Sequence, residues 1–227
     1  MAVRFKGAHF VKDIVLTCVR WYVAYPLSYR PIEEPMQERG VSVDHATVNR
    51  WVLTYAPQIE EAFHRRKRPV WRSWRMDETY IRVKGQWRYL YRAVDKMGQT
   101  LDFLLTEQGD EQAATRFLTK AIRRHGIPET ITIDGSKANA AAIREYNAAY
   151  GRMITIRQVQ YLNNVVEQDH RAVKRVTRPT LGFKSFAAAQ ETLAGVELMH
   201  MLKKGQMVVA EGKEGLTPAE QFYSLAA

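Results

Sequence analysis

The segment WRYLYRAVDKMGQTLDFLLT, residues 87–106, has the pattern of two antiparallel β-strands joined by a tight turn. Aromatic and aliphatic residues alternate with arginines up to Asp95, a turn containing Gly98 follows, and a second apolar run completes the segment. Short turns with glycine between strand-like runs indicate hairpins. Another β-rich run, Val70 to Val83, precedes this segment and is joined to it by a turn at Gly85. The three runs together predict an antiparallel meander.

The chain downstream of the meander alternates helical and strand-like segments. Helices are indicated by apolar residues at i, i+3 and i+4, and strands by short β-rich runs. The resulting order, βββαβαβα, predicts an α/β domain with a ribonuclease H-like mixed sheet, in which a meander is followed by parallel strands joined by helices. The predicted segments are a helix over Glu111–His125, a strand over Thr130–Ile133, a helix over Lys137–Tyr150, a strand over Thr155–Val159, a helix over about Asn164–Val176 and a final helix over Phe186–Lys203.

An all-α region precedes the sheet. Apolar stripes predict a helix over about Phe10–Ala24, a short helix over about Tyr29–Glu38 and, after a turn at Gly40, a third helix capped by Ser42. This succession is the plan of a helix-turn-helix domain, with a plain three-helix bundle as the alternative. Pro35 lies inside the second helix and predicts a kink or a later start there.

The charge of the chain favours the DNA-binding interpretation of this region. Lys and Arg number 34 against 24 Asp and Glu, which gives a formal charge of +10 and a pI of about 9.7. Such a surplus favours a polyanionic partner, most often nucleic acid. The last helix of a helix-turn-helix enters the major groove with its N-terminal residues on base edges. The polar candidates there are His45, Thr47, Asn49 and Arg50.

Composition excludes several other classes of protein. A hydrophobic fraction of 46% and a charged fraction of 26% are ordinary for a globular protein and argue against disorder. The single cysteine, Cys18, cannot form an internal disulfide or a cysteine-type zinc site, and we expect it to be buried. No signal peptide or membrane-length apolar run is evident. The expected location is the reducing cytoplasm, which is the default without such signals.

Changes in composition predict where the chain divides. We expect a helix-turn-helix region over 1–63, a basic linker over 64–69, a ribonuclease H-like catalytic domain over 70–183 and a helical tail over 184–227. The linker, His64-Arg65-Arg66-Lys67-Arg68-Pro69, is a charge run closed by a proline. It is either a solvated connection or one that also touches phosphate.

Three acids stand out by their positions in the predicted elements. Asp77 lies within the first strand, where an acid costs free energy unless it is paired or metal-bound. Asp134 ends the fourth strand, and ligands gather at the carboxyl ends of strands in open sheets. Glu167 opens the helix that packs across these neighbouring strands, so the three acids converge. Carboxylate oxygens hold Mg²⁺, and two such ions about 4 Å apart promote phosphodiester transfer.

The helix around Glu167 has one charged face. At 100° per residue, an acid followed by cations occupies a stripe about 60° wide, which suits a metal ligand beside a phosphate backbone. His170 borders this stripe. A solvated face with an i,i+4 ion pair is the alternative, and it contributes only about 0.2–0.5 kcal/mol. The residues of the stripe are Glu167, Arg171, Lys174 and Arg178.

At these residues the sequence resembles the DDE transposases of small bacterial insertion sequences in the IS-six family, the IS-twenty-six-like elements. The resemblance covers nearly the whole chain. Its motifs are Phe5-Lys6-Gly7 with His9-Phe10, Leu27-Ser28-Tyr29-Arg30, Glu38-Arg39-Gly40-Val41-Ser42-Val43-Asp44-His45, Arg50-Trp51-Val52, Trp74-Arg75-Met76-Asp77-Glu78-Thr79-Tyr80, Tyr89-Leu90-Tyr91-Arg92-Ala93-Val94-Asp95, Tyr161-Leu162-Asn163-Asn164, Glu167-Gln168-Asp169-His170-Arg171, Lys174-Arg175 and Leu181-Gly182-Phe183.

The resemblance implies a function and assigns residues to it. Asp77, Asp134 and Glu167 would be the catalytic, metal-binding DDE triad, working with Mg²⁺ or Mn²⁺, and Lys174 would contact DNA near the scissile bond. The helix-turn-helix would recognise the terminal inverted repeats of the element. The implied reaction exposes a 3′-OH at the element end, which then attacks target DNA and gives cointegrates. Because transposases act on paired ends, the resemblance also implies at least a dimer.

Two other functions are compatible with parts of this pattern. A ribonuclease H-like nuclease would share the fold and the metals but would not need a sequence-reading domain. A decayed copy could persist as a helix-turn-helix DNA-binding protein without chemistry. The spacing of 32 residues between Asp134 and Glu167 is slightly shorter than in the best-known branch of the family, and Pro35 replaces a helix-friendly position.

Overall fold

Helices and strands follow one another along the chain in the order that the sequence predicts. A computed structural model describes Val3, Phe5 and residues 9–212 and 214–226, so Lys6 and Gly7 of the first motif lie outside the described residues. The elements are α1 (Lys12–Ala24), α2 (Arg30–Gln37), α3 (His45–His64), β1 (Ser73–Val83), β2 (Gln86–Asp95), β3 (Thr100–Thr106), α4 (Glu111–His125), β4 (Thr130–Ile133), α5 (Lys137–Tyr150), β5 (Thr155–Gln158), α6 (Gln160–Thr177), a 3₁₀ turn (Arg178–Thr180), α7 (Phe186–Lys203) and α8 (Pro218–Leu225).

The strands form one five-stranded mixed sheet, which confirms the predicted α/β class and its element order. The strand order is β3-β2-β1-β4-β5. The pairs β1/β2 and β2/β3 are antiparallel, whereas β1/β4 and β4/β5 are parallel. Hairpins build the antiparallel side, and helical crossovers return the chain to the parallel side. The sheet therefore has the ribonuclease H-like arrangement that the sequence predicts.

The register of the central strands brings the first two acids to the same level. The pairing of β1 with β4 covers Ser73–Arg75 and ends with Arg75 opposite Thr132. Continued by two residues, this register sets Asp134 level with Asp77. Beyond that level, β1 runs on to Val83 with β2 as its paired strand.

Alternation along β1 gives the sheet two different faces. Trp74 and Met76 are buried in an apolar core with residues of α4 and α5, such as Phe117 and Ile143. Since successive side chains of a strand point to opposite faces, Asp77 lies on the other face of the sheet. The core thus fixes the strand that carries the acid and leaves the acid outside the apolar cluster.

Packing divides the chain into two compact units that differ from the predicted domain limits. One unit joins Met1–Arg68 to Val173–Ala227, and the other is Pro69–Ala172. The predicted functional regions therefore stay predictions, with their limits at 1–63, 64–69, 70–183 and 184–227. The described part of the chain contains no helix with the length and hydropathy of a membrane span.

Helix α7 is the centre of the first unit rather than a peripheral tail. It packs against α1 and α3, and most of its residues are buried. A Cβ atom on Gly195 would lie 2.6 Å from a methyl of Val23 and 2.9 Å from the Cβ of Ala56, so glycine permits this close helix packing. Cys18 is fully buried in the same unit, as predicted, and burial raises the pKa of its thiol to about 11.

The basic segment 64–69 is tied to the first unit through its backbone. Lys67 forms a β-bridge with Met207, and the amide of Arg68 donates to the carbonyl of Gln206 at 2.8 Å. The amide of Val208 in turn donates to the carbonyl of Arg66 at 2.7 Å. The sequence suggested a connecting segment, but the pairing partner lies far along the chain and has no local signal.

Several predicted element ends are wrong, each for a local reason. Asp44, not Ser42, caps α3, because its carboxylate accepts from the amide of Thr47 at 2.9 Å. Helix α2 begins at Arg30 and includes Pro35, so the predicted later start is not observed. Helix α8 was missed, although Thr217 and Glu220 form the capping box that signals a helix start.

Candidate active site

Asp77 is a buried carboxyl group on the face of the sheet opposite the apolar core. It is 8% exposed and pairs across the strands with Arg92. Burial, together with the negative charges of Asp134, Glu78 and Glu167, raises the pKa of Asp77 to about 7. The charges of the other two predicted site acids therefore act on Asp77, and the convergence of the three stays a prediction.

Asp134 and Glu167, the other two predicted site acids, are exposed carboxylates. Asp134 follows the last residue of β4, and its Oδ1 accepts from the amide of Ser136 at 3.1 Å. Glu167 lies in the third turn of α6, not at its start, because α6 begins at Gln160. The predicted start at Asn164 was wrong because Asn163, a poor helix former, is held inside the helix as a fully buried residue.

The chemistry of these acids fits a divalent cation. Their carboxylates are hard oxygen ligands. The charges of Asp134 and Glu167 oppose ionisation of Asp77, and a cation between them would remove that repulsion. Within the described ranges, however, no three His, Cys, Asp or Glu side chains are gathered as a ready-made metal cluster. Metal binding by the triad therefore belongs to the proposed function.

A buried ion pair joins α6 to the sheet next to the acids. The guanidinium Nη2 of Arg92 lies 2.7 Å from Oδ2 of Asp169, and the two side chains are 0% and 6% exposed. The hydroxyl of Thr100 donates to the same carboxylate oxygen at 3.2 Å. His170, the next residue, places Nδ1 3.6 Å from Oδ2 of Asp77. These contacts fix the helix that carries Glu167 to the strand that carries Asp77.

Sequence reasoning missed this pair and treated His170 only as a neighbour of the charged stripe. A signal exists at each end: Arg92 interrupts an apolar strand, and Asp169 follows Glu167 by two residues. A buried arginine requires a partner. The identity of that partner depends on contact between segments far apart in the sequence, which no local pattern reveals.

A second polar contact anchors the chain just after Asp134. The side-chain nitrogen Nδ2 of Asn139, in the first turn of α5, donates to Oε2 of Glu78 at 2.9 Å. Ser136 caps this helix by accepting from the amide of Asn139 at 3.4 Å. Burial raises the pKa of Glu78, which the hydrogen bond from Asn139 partly offsets. The contact holds the Asp134 loop to β1, the strand that carries Asp77.

The predicted cationic stripe is shorter than expected. Arg171 is exposed and Lys174 is half-buried on α6, one and two turns after Glu167. Arg178 is exposed but lies in the 3₁₀ turn after α6, so it does not extend the helical stripe. The reason is Pro179, since a residue before proline is disfavoured in the α conformation.

The four candidate DNA-reading residues lie at the start of α3. His45 and Arg50 are exposed, whereas Thr47 and Asn49 are half-buried. The ring of His45 lies 2.8 Å from a carboxylate oxygen of Glu33, on α2. The hydroxyl of Thr47 donates to Asp44 and accepts from Arg50, each at 2.8 Å. The structure thus presents two side chains, His45 and Arg50, on an ordered helix start.

The raised pKa of Asp77 predicts a pH-dependent stability in the presence of a chelator. Asp77 ionises near pH 3.8 when unfolded and near pH 7 when folded, so its favourable contribution is complete below pH 3.8 and is lost as pH rises through 7. The variant Asp77→Asn does not titrate. Its free energy of unfolding should rise relative to wild type between pH 4 and 7, by at most about 4 kcal/mol. Urea unfolding in EDTA measures this, and a constant difference across that range would contradict the assignment.

Comparison with solved structures gives distant similarities. The catalytic core domain of HTLV-2 integrase in complex with magnesium, in its dimeric form, is 17% identical, with a TM-score of 0.45, over 68% of this chain and 97% of that chain. The catalytic core domain of BIV integrase is 19% identical, with a TM-score of 0.44, over 67% of this chain and 94% of that chain.

Comparison with known sequences gives much closer relatives. The family described as a DDE domain matches residues 71–206, which is more than half of the chain. The transposase for the insertion sequence-like element IS431mec of Staphylococcus aureus is 39% identical over 202 residues, which is 88% of each protein. The transposase for the insertion sequence element IS257 in transposon Tn4003, from the same species, has the same identity and coverage. The chain therefore belongs to the DDE transposases of bacterial insertion sequences, in the IS-six family that its motifs resemble.

Proposed function

We propose that this transposase cleaves DNA at the ends of its insertion sequence and joins them to target DNA with Asp77, Asp134 and Glu167 as its catalytic residues. The observation that carries the assignment is the position of the acids: the register of β1 with β4, continued by two residues, sets Asp134 level with Asp77, and His170 on the helix of Glu167 places Nδ1 3.6 Å from Oδ2 of Asp77. The charges of Asp134 and Glu167 both raise the pKa of Asp77. Carboxylates that oppose one another's ionisation at the end of a strand are the arrangement that functional sites use.

The triad would hold Mg²⁺ or Mn²⁺, in two sites. Bound divalent cations activate an attacking oxygen and stabilise the leaving oxygen in phosphodiester transfer. The protein supplies position: Asp77 is fixed by the sheet, Asp134 by its loop, and Glu167 by α6. Burial of Asp77 limits water around that carboxyl group, which strengthens its electrostatic interactions.

DNA would be bound by two groups of residues. His45, Thr47, Asn49 and Arg50 are proposed to read the terminal inverted repeats, and the exposure of His45 and Arg50 at a helix start supports this. Arg171, Lys174 and Arg178 are proposed to contact phosphates near the scissile bond. Both exposed arginines of that group, Arg171 and Arg178, are available to solvent in the described structure.

The reaction requires two DNA ends, so the working form is proposed to be at least a dimer that gives cointegrate products. A cointegrate forms when the 3′-OH at each end attacks the target and the donor stays attached. The protein then needs only to cleave the DNA so that a 3′-OH is exposed, and to hold this hydroxyl next to the target phosphate. No covalent link between protein and DNA is required.

The test is a strand-transfer assay with linear DNA that carries the element ends and a supercoiled target. Wild-type protein with Mg²⁺ or Mn²⁺ should produce joined products, and EDTA should abolish them. Binding to the ends is measured separately, with Arg50→Ala as the variant that should weaken it. Metal-dependent cleavage without joining would instead show a nuclease. Binding without any chemistry would show a decayed copy that acts only as a DNA-binding protein.

A further inference from the structure

The β1–β2 hairpin extends past the level at which β4 ends. Pairing of β1 with β2 continues from Asp77 opposite Arg92 to Val83 opposite Gln86, whereas β4 pairs with β1 only over Ser73–Arg75. Beyond Asp77, β1 is therefore paired with β2 on one edge, and β4 does not cover its other edge.

One face of this extension is buried and the other is open. Thr79, Ile81 and Val83 alternate along the buried face, each no more than 6% exposed. On the open face, Tyr80 is 48% exposed and Trp87 is 64% exposed. Arg82 lies directly opposite Trp87 in the register and is also exposed. The indole ring of Trp87 and the guanidinium group of Arg82 are thus cross-strand neighbours on an exposed face.

The extension is positively charged without any balancing acid. From Thr79 to Tyr91 the sequence contains Arg82, Lys84 and Arg88 and no Asp or Glu. Arg88 is committed internally, since it donates to the carbonyl of Glu107 at 3.2 Å and to Gln86 at 2.7 Å. Within the described residues, the charged ends of Arg82 and Lys84 form no ion pair, so two cations remain available at the tip.

We propose that the tip of this hairpin, formed by Tyr80, Arg82, Lys84 and Trp87, binds the sugar–phosphate backbone of DNA that flanks the stretch held at the active site. Cations interleaved with exposed aromatic rings are the surface that nucleic-acid strands bind, with phosphates on the cations and sugars or bases on the rings. Tyr80 and Arg82 lie on the same face of β1 as Trp74 and Met76, opposite the face of Asp77, so the tip would hold a flanking stretch of DNA rather than the phosphate at the catalytic acids. The inference rests on the proposed function, since it takes DNA as the substrate.

A second copy of the chain is the competing occupant, and charge disfavours it. A two-fold interface places the same patch of both copies together. Arg82 and Lys84 would then face their own equivalents, and like charges brought together in an interface are unfavourable. DNA meets the same patch with opposite charge.

The experiment compares salt-dependent binding of DNA ends by full-length variants in an Asp134→Asn background, which separates binding from chemistry. Each phosphate contact contributes about −0.9 to the slope of log affinity against log salt concentration. The double variant Arg82→Ala/Lys84→Ala removes two such contacts, so the magnitude of its slope should be smaller by about 2. The matched control is Arg123→Ala/Arg144→Ala, which removes two exposed cations from α4 and α5. Its slope should equal that of the parent.

Variants of Trp87 give an independent test of the same proposal. Trp87→Ala should weaken binding about tenfold, within the range for loss of one stacked ring, and Trp87→Phe should restore most of it. Circular dichroism and thermal unfolding confirm that each variant is folded, as expected for exposed positions. Sedimentation measures the oligomeric state of each variant.

The outcomes separate this inference from the proposed function. If the hairpin variants bind with the affinity and slope of the parent while wild type joins DNA, the hairpin proposal is wrong and the function stands. If the variants change only the oligomeric state, the tip is an interface between copies and the proposal is overturned. If wild type neither binds nor joins the ends, the proposed function itself fails.

Discussion

Replacing Asp134 with asparagine is expected to reduce strand transfer by about 10³-fold or more, the scale of losing an essential group from an active site. Binding of the element ends should stay within about twofold of wild type, because the variant removes no phosphate contact. The side chain of Asp134 is exposed, and its one hydrogen bond in the described structure, from the amide of Ser136, can also be made by the asparagine oxygen. The change therefore removes charge with little effect on folding.

The same assay with Asp77→Asn and Glu167→Gln tests the other two acids, and each should lose activity to a similar extent. Glu111→Gln is the matched control, since Glu111 is an exposed acid in the first turn of α4. It should keep wild-type activity. Binding of Mn²⁺ followed by electron paramagnetic resonance gives a second readout, and should weaken in the triad variants only. Full activity in any one triad variant would remove that residue from the assignment.

Much of the sheet could be predicted from the sequence because its signals are local. Alternation with a period of two, glycine turns and capped helices are encoded within a few residues of each other, and α4, β4, α5 and α7 have the predicted bounds. The two aspartates of the proposed triad could be singled out because each stands where apolar alternation stops or is interrupted. Glu167 was found on its helix, although the start of that helix was misplaced.

The rest depends on contacts between distant segments. Gly195 gives no hint in the sequence that it allows α7 to approach Val23 and Ala56, so the place of α7 in the first unit was not foreseen. The pairing of Arg68 with Gln206 likewise joins residues that are far apart in the chain. Register between β1 and β4, which sets Asp134 level with Asp77, follows from packing rather than from either strand alone.

The buried pair of Arg92 and Asp169 is the clearest case of such a contact, and its geometry suggests more than stability. A buried ion pair is weak evidence for stability, because desolvation of both charges offsets their attraction. Asp169 follows Glu167 by two residues on α6, and Arg92 lies opposite Asp77 on the neighbouring strand. The pair therefore sets the rotation of α6 about its axis relative to the strand of Asp77. We expect it to act as a positioning pair for Glu167.

Breaking the pair should separate these two roles. Asp169→Asn removes the negative charge that lies 2.7 Å from the buried Arg92 guanidinium. It should lower the free energy of unfolding by about 3–5 kcal/mol and strand transfer by about 10–100-fold, the range for groups that orient metal ligands. The double variant Arg92→Met/Asp169→Leu replaces the pair by apolar side chains, and should regain most of the stability. If the pair positions Glu167, the activity of this double variant should stay low.

The control is a buried carboxylate that forms two ion pairs elsewhere in the same unit. Asp102 on β3 is bound by Lys120 at 2.8 Å and Arg124 at 3.2 Å, which joins β3 to α4 rather than to the helix of Glu167. Asp102→Asn should destabilise the protein in urea unfolding but keep near wild-type strand transfer per folded molecule. Recovery of both stability and activity in Arg92→Met/Asp169→Leu would reduce the pair to a structural contact, because apolar packing would then orient α6 equally well. Recovery of stability alone would show that the direction of Glu167 depends on the charge-paired geometry, which apolar packing does not reproduce.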